Sequence, residues 1–151
     1  MNKLMIVKMT DGSTLLTEVY YNDDTYIFDF NNPLVIRTQF SPEGEVTTSF
    51  PYLIGTDDEI IPIPATFVIT MSPANEFFTK FYGSAMLKFF LQNEIRKTAI
   101  RGETELSSET KDLLEQKREE ILNRYGMIDD EGEKTEPNID AQEIKKDRIL
   151  H

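Results

Sequence analysis

The sequence contains no cysteine, and its single histidine is the last of 151 residues, His151. Without cysteine, the chain cannot form disulfides, thiolate nucleophiles or thiolate-ligated metal sites. A serine nucleophile needs a positioned base beside it, and a histidine at the very end of the chain is a poor source of one. The sequence therefore argues against hydrolase chemistry of the triad type, and we expect no catalytic residues.

Long apolar runs are also missing. Residues 1–8 contain too short an apolar run for a signal peptide, and no stretch approaches the roughly 18 apolar residues of a membrane span. We therefore expect a soluble cytoplasmic protein without a membrane partner. The seven glycines are scattered along the chain and form no glycine-rich phosphate-binding pattern, so we expect no cofactor.

The net charge of -11 is distributed unevenly along the chain. Residues 1–73 carry a net charge of -7, residues 74–100 carry +2, and residues 101–151 carry -6. An acidic surface repels phosphate backbones and weakens non-specific binding to nucleic acids. The charge therefore argues against a bulk electrostatic grip on DNA or RNA and leaves a local site open.

Two acidic clusters are the remaining candidates for metal binding or acid–base work: Asp23 with Asp24, and the run 57–59. Acidic side chains also collect in turns because they hydrogen-bond their own backbone, and we favour this second interpretation. The run 129–133 superficially resembles a calcium loop but lacks its alternating ligands and its sixth-position glycine. We therefore predict no metal site.

The first half of the chain has the pattern of short strands separated by turns. Pro62 and Pro64 remove ladder donors from the segment 60–64, which we expect to be an edge segment or a connector. Strands spaced by about ten residues favour a small antiparallel barrel or sandwich. The predicted strands are 4–9, 13–21, 25–30, 34–40, 45–54 and 66–71.

At Ser72 and Pro73 the hydrophobic period changes, and these residue types predict a helix start there. The helix is predicted to reach about Arg101. Three of its four i, i+4 rows are largely apolar, which predicts burial on two sides: one against the β-domain, the other against a partner, most simply a second copy. Gly83 lies midway and would permit a close approach.

A second helix is predicted over 107–125, with Ser107 or Ser108 as its N-cap and Gly126 in the left-handed position after its end. The remaining tail is charged, and we expect it to be disordered apart from a weak helix from Asp140. The predicted organisation has three parts: a β-domain over 1–72, a helical extension over 73–125 and a tail over 126–151.

The segment 6–13 (Ile-Val-Lys-Met-Thr-Asp-Gly-Ser), then 15–19, then the run 26–36 resembles the first signature of Sm-like proteins. The chain is similar in this respect to Sm-like proteins encoded by phages of marine bacteria. The resemblance implies a five-stranded, strongly bent antiparallel barrel that assembles into rings by pairing edge strands between subunits. Three features depart from the family. The long helix follows the barrel, and the second RNA-contacting signature has no counterpart around 60–64. The family's Asn before Leu aligns with Pro33, unless a slip of one residue puts Asn32 in its place.

The resemblance also implies a site for single-stranded RNA in the turn after the third strand. There Phe28 or Phe30 would stack on a base, Asn31 and Asn32 would read its edge, and Asp29 would orient the loop. Alternation along the strand instead favours core packing for these aromatic residues.

The sequence leaves two functions from different classes open. We predict a non-enzymatic, homo-oligomeric Sm-like binding or scaffold module that contacts single-stranded RNA. The alternative is a protein-interaction or assembly factor with a protein partner and no nucleic-acid role, which the acidic composition favours.

Overall fold

The computed structural model describes residues 3–127 and 142–144. They divide into two compact units: a β-unit, which contains the described residues up to Asn75 and the strand near the C-terminus, and a helical unit from Glu76 onward. The elements are β1 (Lys3–Met9), β2 (Thr14–Asn22), β3 (Ile27–Ser41), β4 (Gly44–Pro51), β5 (Ile60–Pro64), a 3₁₀ turn (Ala65–Phe67), β6 (Val68–Pro73), α1 (Glu76–Ile100), α2 (Ser108–Arg124) and β7 (Gln142–Ile144).

Every strand pairing in the β-unit is antiparallel. The strand order is β6-β1-β2-β3-β4-β7, and β5 pairs with the first part of β3. This confirms the predicted architecture of an antiparallel, bent β-domain followed by a long helix and a second helix. The sheet is not closed into a barrel, and six strands precede α1 where the resemblance implied five.

β3 continues through the segment where the sequence predicted a break. Its 15 residues include Asn32 and Pro33, and the β2–β3 register shifts there, so that Thr17 of β2 faces both of them. Such a bulge accommodates a proline and bends the strand. Asn32 adopts a φ of 45°, a conformation that asparagine tolerates better than most residues. The predicted strand break is therefore wrong; it is a bend within one strand.

The second edge of β3 changes its neighbour at the same bend. Up to Asn31 this edge pairs with β5, and from Leu34 onward it pairs with β4. The backbone N–H of Asn32 donates to the carbonyl of Glu59 (2.6 Å), and the N–H of Tyr52 donates to the carbonyl of Pro33 (2.9 Å). These two bonds hold the bend between both neighbours.

Apolar side chains are buried on both faces of the sheet, since Leu4, Leu16 and Leu34 alternate along their strands with members of the core cluster. The core cluster itself lies on one face. Its buried members are all apolar and come from strands β1, β2, β3 and β5: Val7, Met9, Leu15, Phe30, Val35, Ile61 and Ile63. Burial of such side chains contributes roughly 1.5–3 kcal/mol each to folding. Pro62 and Pro64 do not prevent β5 from pairing with β3, because β5 is an edge strand, as the sequence predicted, and an edge strand needs ladder donors on one side only.

The long helix begins three residues after the predicted Pro73. Ser72 and Pro73 belong to β6, where they pair with Ile6 and Met5 of β1, and α1 begins at Glu76. The ladder to β1 extends the strand through both residues. Pro73 is tolerated because a proline at a strand end removes little ladder bonding. The predicted helix start at Ser72 and Pro73 is therefore wrong.

Both ends of α2 follow the sequence prediction. Ser107 is the N-cap, and its Oγ accepts a hydrogen bond from the N–H of Thr110 (3.2 Å). At the other end Gly126 has a φ of 66°, and the N–H of Met127 donates to the carbonyl of Leu122 (2.9 Å). This is the longer of the two hydrogen bonds of a Schellman motif, in which glycine adopts the left-handed conformation without steric strain.

Within the helical unit, the segment after α2 packs against the middle of α1. The rings of Tyr82 and Tyr125 meet edge to face at 5.3 Å, and Gly83 lies against Tyr125 and Met127. The predicted close approach at Gly83 is thus made by the chain itself. Part of the apolar surface that the sequence assigned to a second copy is covered within the helical unit.

Beyond Met127, the described part of the C-terminal tail is a strand. β7 pairs with residues 45–47 of β4, so the weak helix predicted from Asp140 is not formed at these three positions. The rest of the predicted tail from residue 128, including the run 129–133, lies outside the described residues. Among the described helices, none is long and apolar enough to cross a membrane.

Candidate binding site at the bend of β3

The bend of β3 is built around a buried hydroxyl group. Thr17 has no exposed surface, and its Oγ1 donates to the carbonyl of Asn31 (3.0 Å) while lying 3.1 Å from the carbonyl of Glu18. A bulge interrupts the regular ladder, and buried carbonyls beside it need donors. The threonine side chain supplies one, which explains a polar residue between Leu16 and Glu18 in the interior.

The two asparagines of the predicted site extend this polar arrangement. Asn32 Nδ2 donates to Asn31 Oδ1 (3.0 Å), and Asn31 Nδ2 donates to Glu18 Oε2 (3.3 Å). Glu18 is only 3% exposed. Both amides are therefore engaged with the protein, and a ligand that they bind must exchange for some of these bonds. The neighbouring carboxylate disfavours a phosphate at this position.

The two phenylalanines of the predicted site occupy different environments. Phe30 has no exposed surface and packs in the core, where a base can reach it only if the core opens. Phe28 is partly buried, and its ring centroid lies 4.6 Å from that of Tyr21 and 6.2 Å from that of Phe30. Tyr21 is 38% exposed, so it and Phe28 form an aromatic pair at the margin of the core.

The structure does not bring the four predicted residues onto one surface. Phe28 and Phe30 share one face of β3, whereas Asn31 follows at the alternate position and belongs to the opposite face. A base stacked on Phe28 would therefore be separated by the sheet from the amide of Asn31. Tyr21 is not among the four predicted residues, but the β2–β3 register pairs it with Phe28 and so brings the two rings together.

The acidic clusters lie in turns that their neighbours close. The N–H of Asp24 donates to Asn22 Oδ1 (3.0 Å), and the N–H of Asp58 donates to Thr56 Oγ1 (3.0 Å). These are the side-chain-to-backbone bonds typical of turns. Within residues 3–127 and 142–144, no group of three or more acidic or histidine side chains is placed to hold a metal ion.

One exposed carboxylate has a perturbed pKa. Asp11 Oδ1 accepts from Ser13 Oγ (2.6 Å) and from the N–H of Ser13 (2.8 Å) in the β1–β2 turn. These bonds, first the one from the hydroxyl, lower the pKa of Asp11 below its ordinary value of 3.8. The carboxylate closes the turn that contains Gly12, whose φ is 91°.

A different candidate surface lies at the margin of the sheet. Because the sheet is open, β6 has a strand neighbour, β1, on one side only, and β5 has only β3, within the part of the chain that the structure describes. Phe67, just before β6, and Ile69, in β6, are 52% and 62% exposed. Unpaired backbone groups with apolar side chains next to them are typical of surfaces that add another strand.

No protein-family model matches this chain, and no curated protein sequence matches it. The similarity to Sm-like proteins therefore stays a prediction from the residues 6–36 that carry it. The case for a function depends on the geometry of the β-unit and on the charge of the chain.

Proposed function

We propose that this protein is a non-enzymatic binding or scaffold module that works as a homo-oligomer. The observation that carries the proposal is the open sheet: strand β6 has no second strand neighbour among the described residues, Ile69 of β6 is an exposed apolar side chain, and so is Phe67 in the 3₁₀ turn just before it. Unpaired strand edges bind other strands, and a copy of the same chain is the partner always present at the same concentration. The ring implied by the Sm-like resemblance is one form of such an assembly.

The experiment that tests this proposal is the absolute mass of the full-length protein by light scattering after gel filtration. A single copy has a mass of 17.5 kDa, and we expect a discrete multiple of it. Each copy carries -11, so copies repel one another, and added salt should strengthen the association by screening that repulsion. A mass of one copy at every protein and salt concentration contradicts the proposal.

A second candidate function, contact with single-stranded RNA, is favoured by the aromatic pair of Tyr21 and Phe28. Tyr21 offers a partly exposed ring face beside a second ring, and one stacked base contributes about 1–3 kcal/mol to affinity. We expect filter binding of labelled poly(A) or poly(U) at low salt to weaken roughly 5- to 150-fold on Tyr21→Ala. Tyr26→Ala is the matched control, because Tyr26 is 70% exposed in the neighbouring turn.

The amides of the predicted RNA site need a separate variant. Substitution of both Asn31 and Asn32 by alanine removes the groups that would read a base edge and leaves the aromatic pair in place. Equal RNA affinity in this variant and the wild type would eliminate the amides from the site. If the wild type shows no RNA binding at low salt, the acidic charge of -11 favours the alternative, a protein partner without a nucleic-acid role.

A further inference from the structure

The margins of the sheet where a further strand could pair include the outer edges of β4, β5 and β6. An exposed edge is a risk, because its unpaired N–H and C=O groups pair readily with other chains, and proteins usually protect such edges. A margin that is left unprotected is therefore informative. The three margins differ in how they are protected.

Proline protects the outer edge of β5. The N–H of Asn32 donates to the carbonyl of Glu59, and the N–H of Ala65 donates to the carbonyl of Tyr26 (2.9 Å). Since 59 and 65 face β3, alternation turns residues 60, 62 and 64 away from it. Two of these are Pro62 and Pro64, which have no N–H. The outward edge of β5 offers almost no donors to an added strand.

The outer edge of β4 is occupied by the chain itself. β7 pairs with residues 45–47 of β4, as an antiparallel strand of three residues. Within the described residues, this margin therefore has a partner where an added strand would otherwise lie. The outer edge of β4 continues into the β3–β4 hairpin, where Phe40 of β3 is 81% exposed.

The outer edge of β6 has a β-bulge at Ile69, opposite Lys8 and Met9 of β1, but among the described residues it has neither a strand partner nor a proline at Met71. The N–H of Ala74 donates to the carbonyl of Leu4 (3.0 Å), and Ser72 pairs with Ile6, so these positions face β1. Alternation then turns both the N–H and the C=O of Met71 outward. Pro73 removes a donor only at the end of the strand. Residues 65–75 contain no charged side chain, although 28% of the whole chain is charged.

We infer that β6 pairs antiparallel with β6 of a second copy about a two-fold axis near Met71, which joins the two sheets into one. This inference rests on the proposed homo-oligomer and names its surface. An antiparallel pair of identical strands is self-complementary, so one edge serves both copies. Two copies with a charge of -11 each approach most easily where both are uncharged. Pairing β6 with β5 in a ring would instead require the donors that Pro62 and Pro64 lack.

The outward backbone N–H and C=O of Met71 predict the geometry of the joined strands. With the axis at this residue, the N–H of each Met71 donates to the C=O of the Met71 in the second copy. The side chains of Ile69 lie near the ends of the paired segment, and burial of such exposed apolar groups stabilises the pair. A lysine at residue 69 replaces this apolar group by a charge that must keep its hydration, so the burial that stabilises the pair is lost.

The test compares two isoleucine-to-lysine variants by light scattering across protein concentration. Ile69→Lys adds a charge beside the edge, and Ile54→Lys adds the same charge at an isoleucine that is 85% exposed in the loop after β4. We expect a wild-type mass of two copies, a dissociation constant raised at least tenfold by Ile69→Lys, and no change from Ile54→Lys. Far-ultraviolet circular dichroism shows that both variants are folded.

A second measurement reads the edge directly, without a substitution. Hydrogen exchange of the Met71 amide should be fast in dilute protein, where copies separate, and at least tenfold slower at high concentration. The amide of Ser72 faces β1 and should stay protected at both concentrations. The comparison of these two neighbouring amides separates pairing at the outer edge from a general stabilisation of the sheet.

Each other result overturns the inference. A monomeric wild type contradicts both the inference and the proposed function. An oligomer that survives Ile69→Lys with a Met71 amide insensitive to concentration leaves the proposed function in place and assigns its interface elsewhere. A mass of five to eight copies also keeps the proposed function and replaces the two-fold pair by a ring.

Discussion

A Cβ atom added at Gly83 of α1 would lie 2.6 Å from Sδ of Met127, the second residue after Tyr125. It would also lie 2.9 Å from Cβ of Tyr125. Distances below about 3.0 Å require one of the partners to shift, and a Cβ atom next to the backbone shifts less readily than the thioether of methionine. Glycine at this position therefore sets how closely the end of α2 approaches α1.

We expect Gly83→Ala to destabilise the helical unit by about 1–3 kcal/mol, the usual cost of overpacking. The clash outweighs the gain of ~1 kcal/mol that alanine brings to a helix interior over glycine. Urea unfolding followed by circular dichroism at 222 nm measures the difference. Gln92→Ala in the same helix is the control, because Gln92 is exposed.

A double variant shows whether the methionine is the group that clashes. In Gly83→Ala/Met127→Ala the Sδ contact is gone, while the contact to Tyr125 remains. We expect the loss from Gly83→Ala to be smaller in this background than in the wild type. A Gly83→Ala variant as stable as the wild type would mean that the two segments are not packed so closely.

The structure shows which of two adjacent serines is the N-cap of α2, a choice that the sequence alone left open. Ser107 accepts the hydrogen bond from Thr110, and Ser108 is the first helical residue. We therefore expect Ser107→Ala to lower the free energy of unfolding by about 0.5–2 kcal/mol and Ser108→Ala to leave it unchanged or raise it slightly. Thermal unfolding of both variants checks the assignment; an equal loss in the two would contradict it.

The sequence predicts correctly those elements that are determined by residues close together in the chain. The end of α2 at Gly126 and the hairpin turn at Gly12 follow from residues that stand within one turn of the chain, and both glycines have positive φ. Pro33 was misleading because its effect depends on Thr17, sixteen residues earlier in sequence and opposite it in the bulge. Ser72 was misleading for a similar reason, since β1 determines that β6 extends through it.

The site prediction was limited by the same difference between local and distant information. Alternation along β3 placed Phe28 and Phe30 on one face, but only the packing of strands β1, β2 and β5 shows that Phe30 lies fully inside the core. The contact of Asn31 with Glu18 depends on the β2–β3 register, which shifts at the bulge. The hydrophobic pattern of the sequence does not reveal this register shift.

Two phenylalanines of β3 test this distinction. Phe30 is fully buried, whereas Phe40 near the end of the same strand is 81% exposed. We expect Phe30→Ala to cost about 3–5 kcal/mol of stability and Phe40→Ala almost none, measured by urea unfolding. A loss of RNA binding in Phe30→Ala would then report unfolding of the core. If Phe30→Ala cost less than 1 kcal/mol, the core would not be packed around this ring.

The last prediction concerns pH and the first hairpin turn. The hydrogen bonds from Ser13 lower the pKa of Asp11, so the folded protein binds a proton at this carboxylate less readily than the unfolded chain does. The resulting stabilisation is present above the ordinary pKa of 3.8 and is lost as the pH falls through the lower, folded value. In an NMR titration, Ser13→Ala should raise the pKa of Asp11 toward 3.8, because the hydroxyl is the leading cause of the shift. Ser13→Thr keeps the hydroxyl and should keep the lowered pKa. Equal values in all three proteins would show that the side-chain bond does not hold this turn.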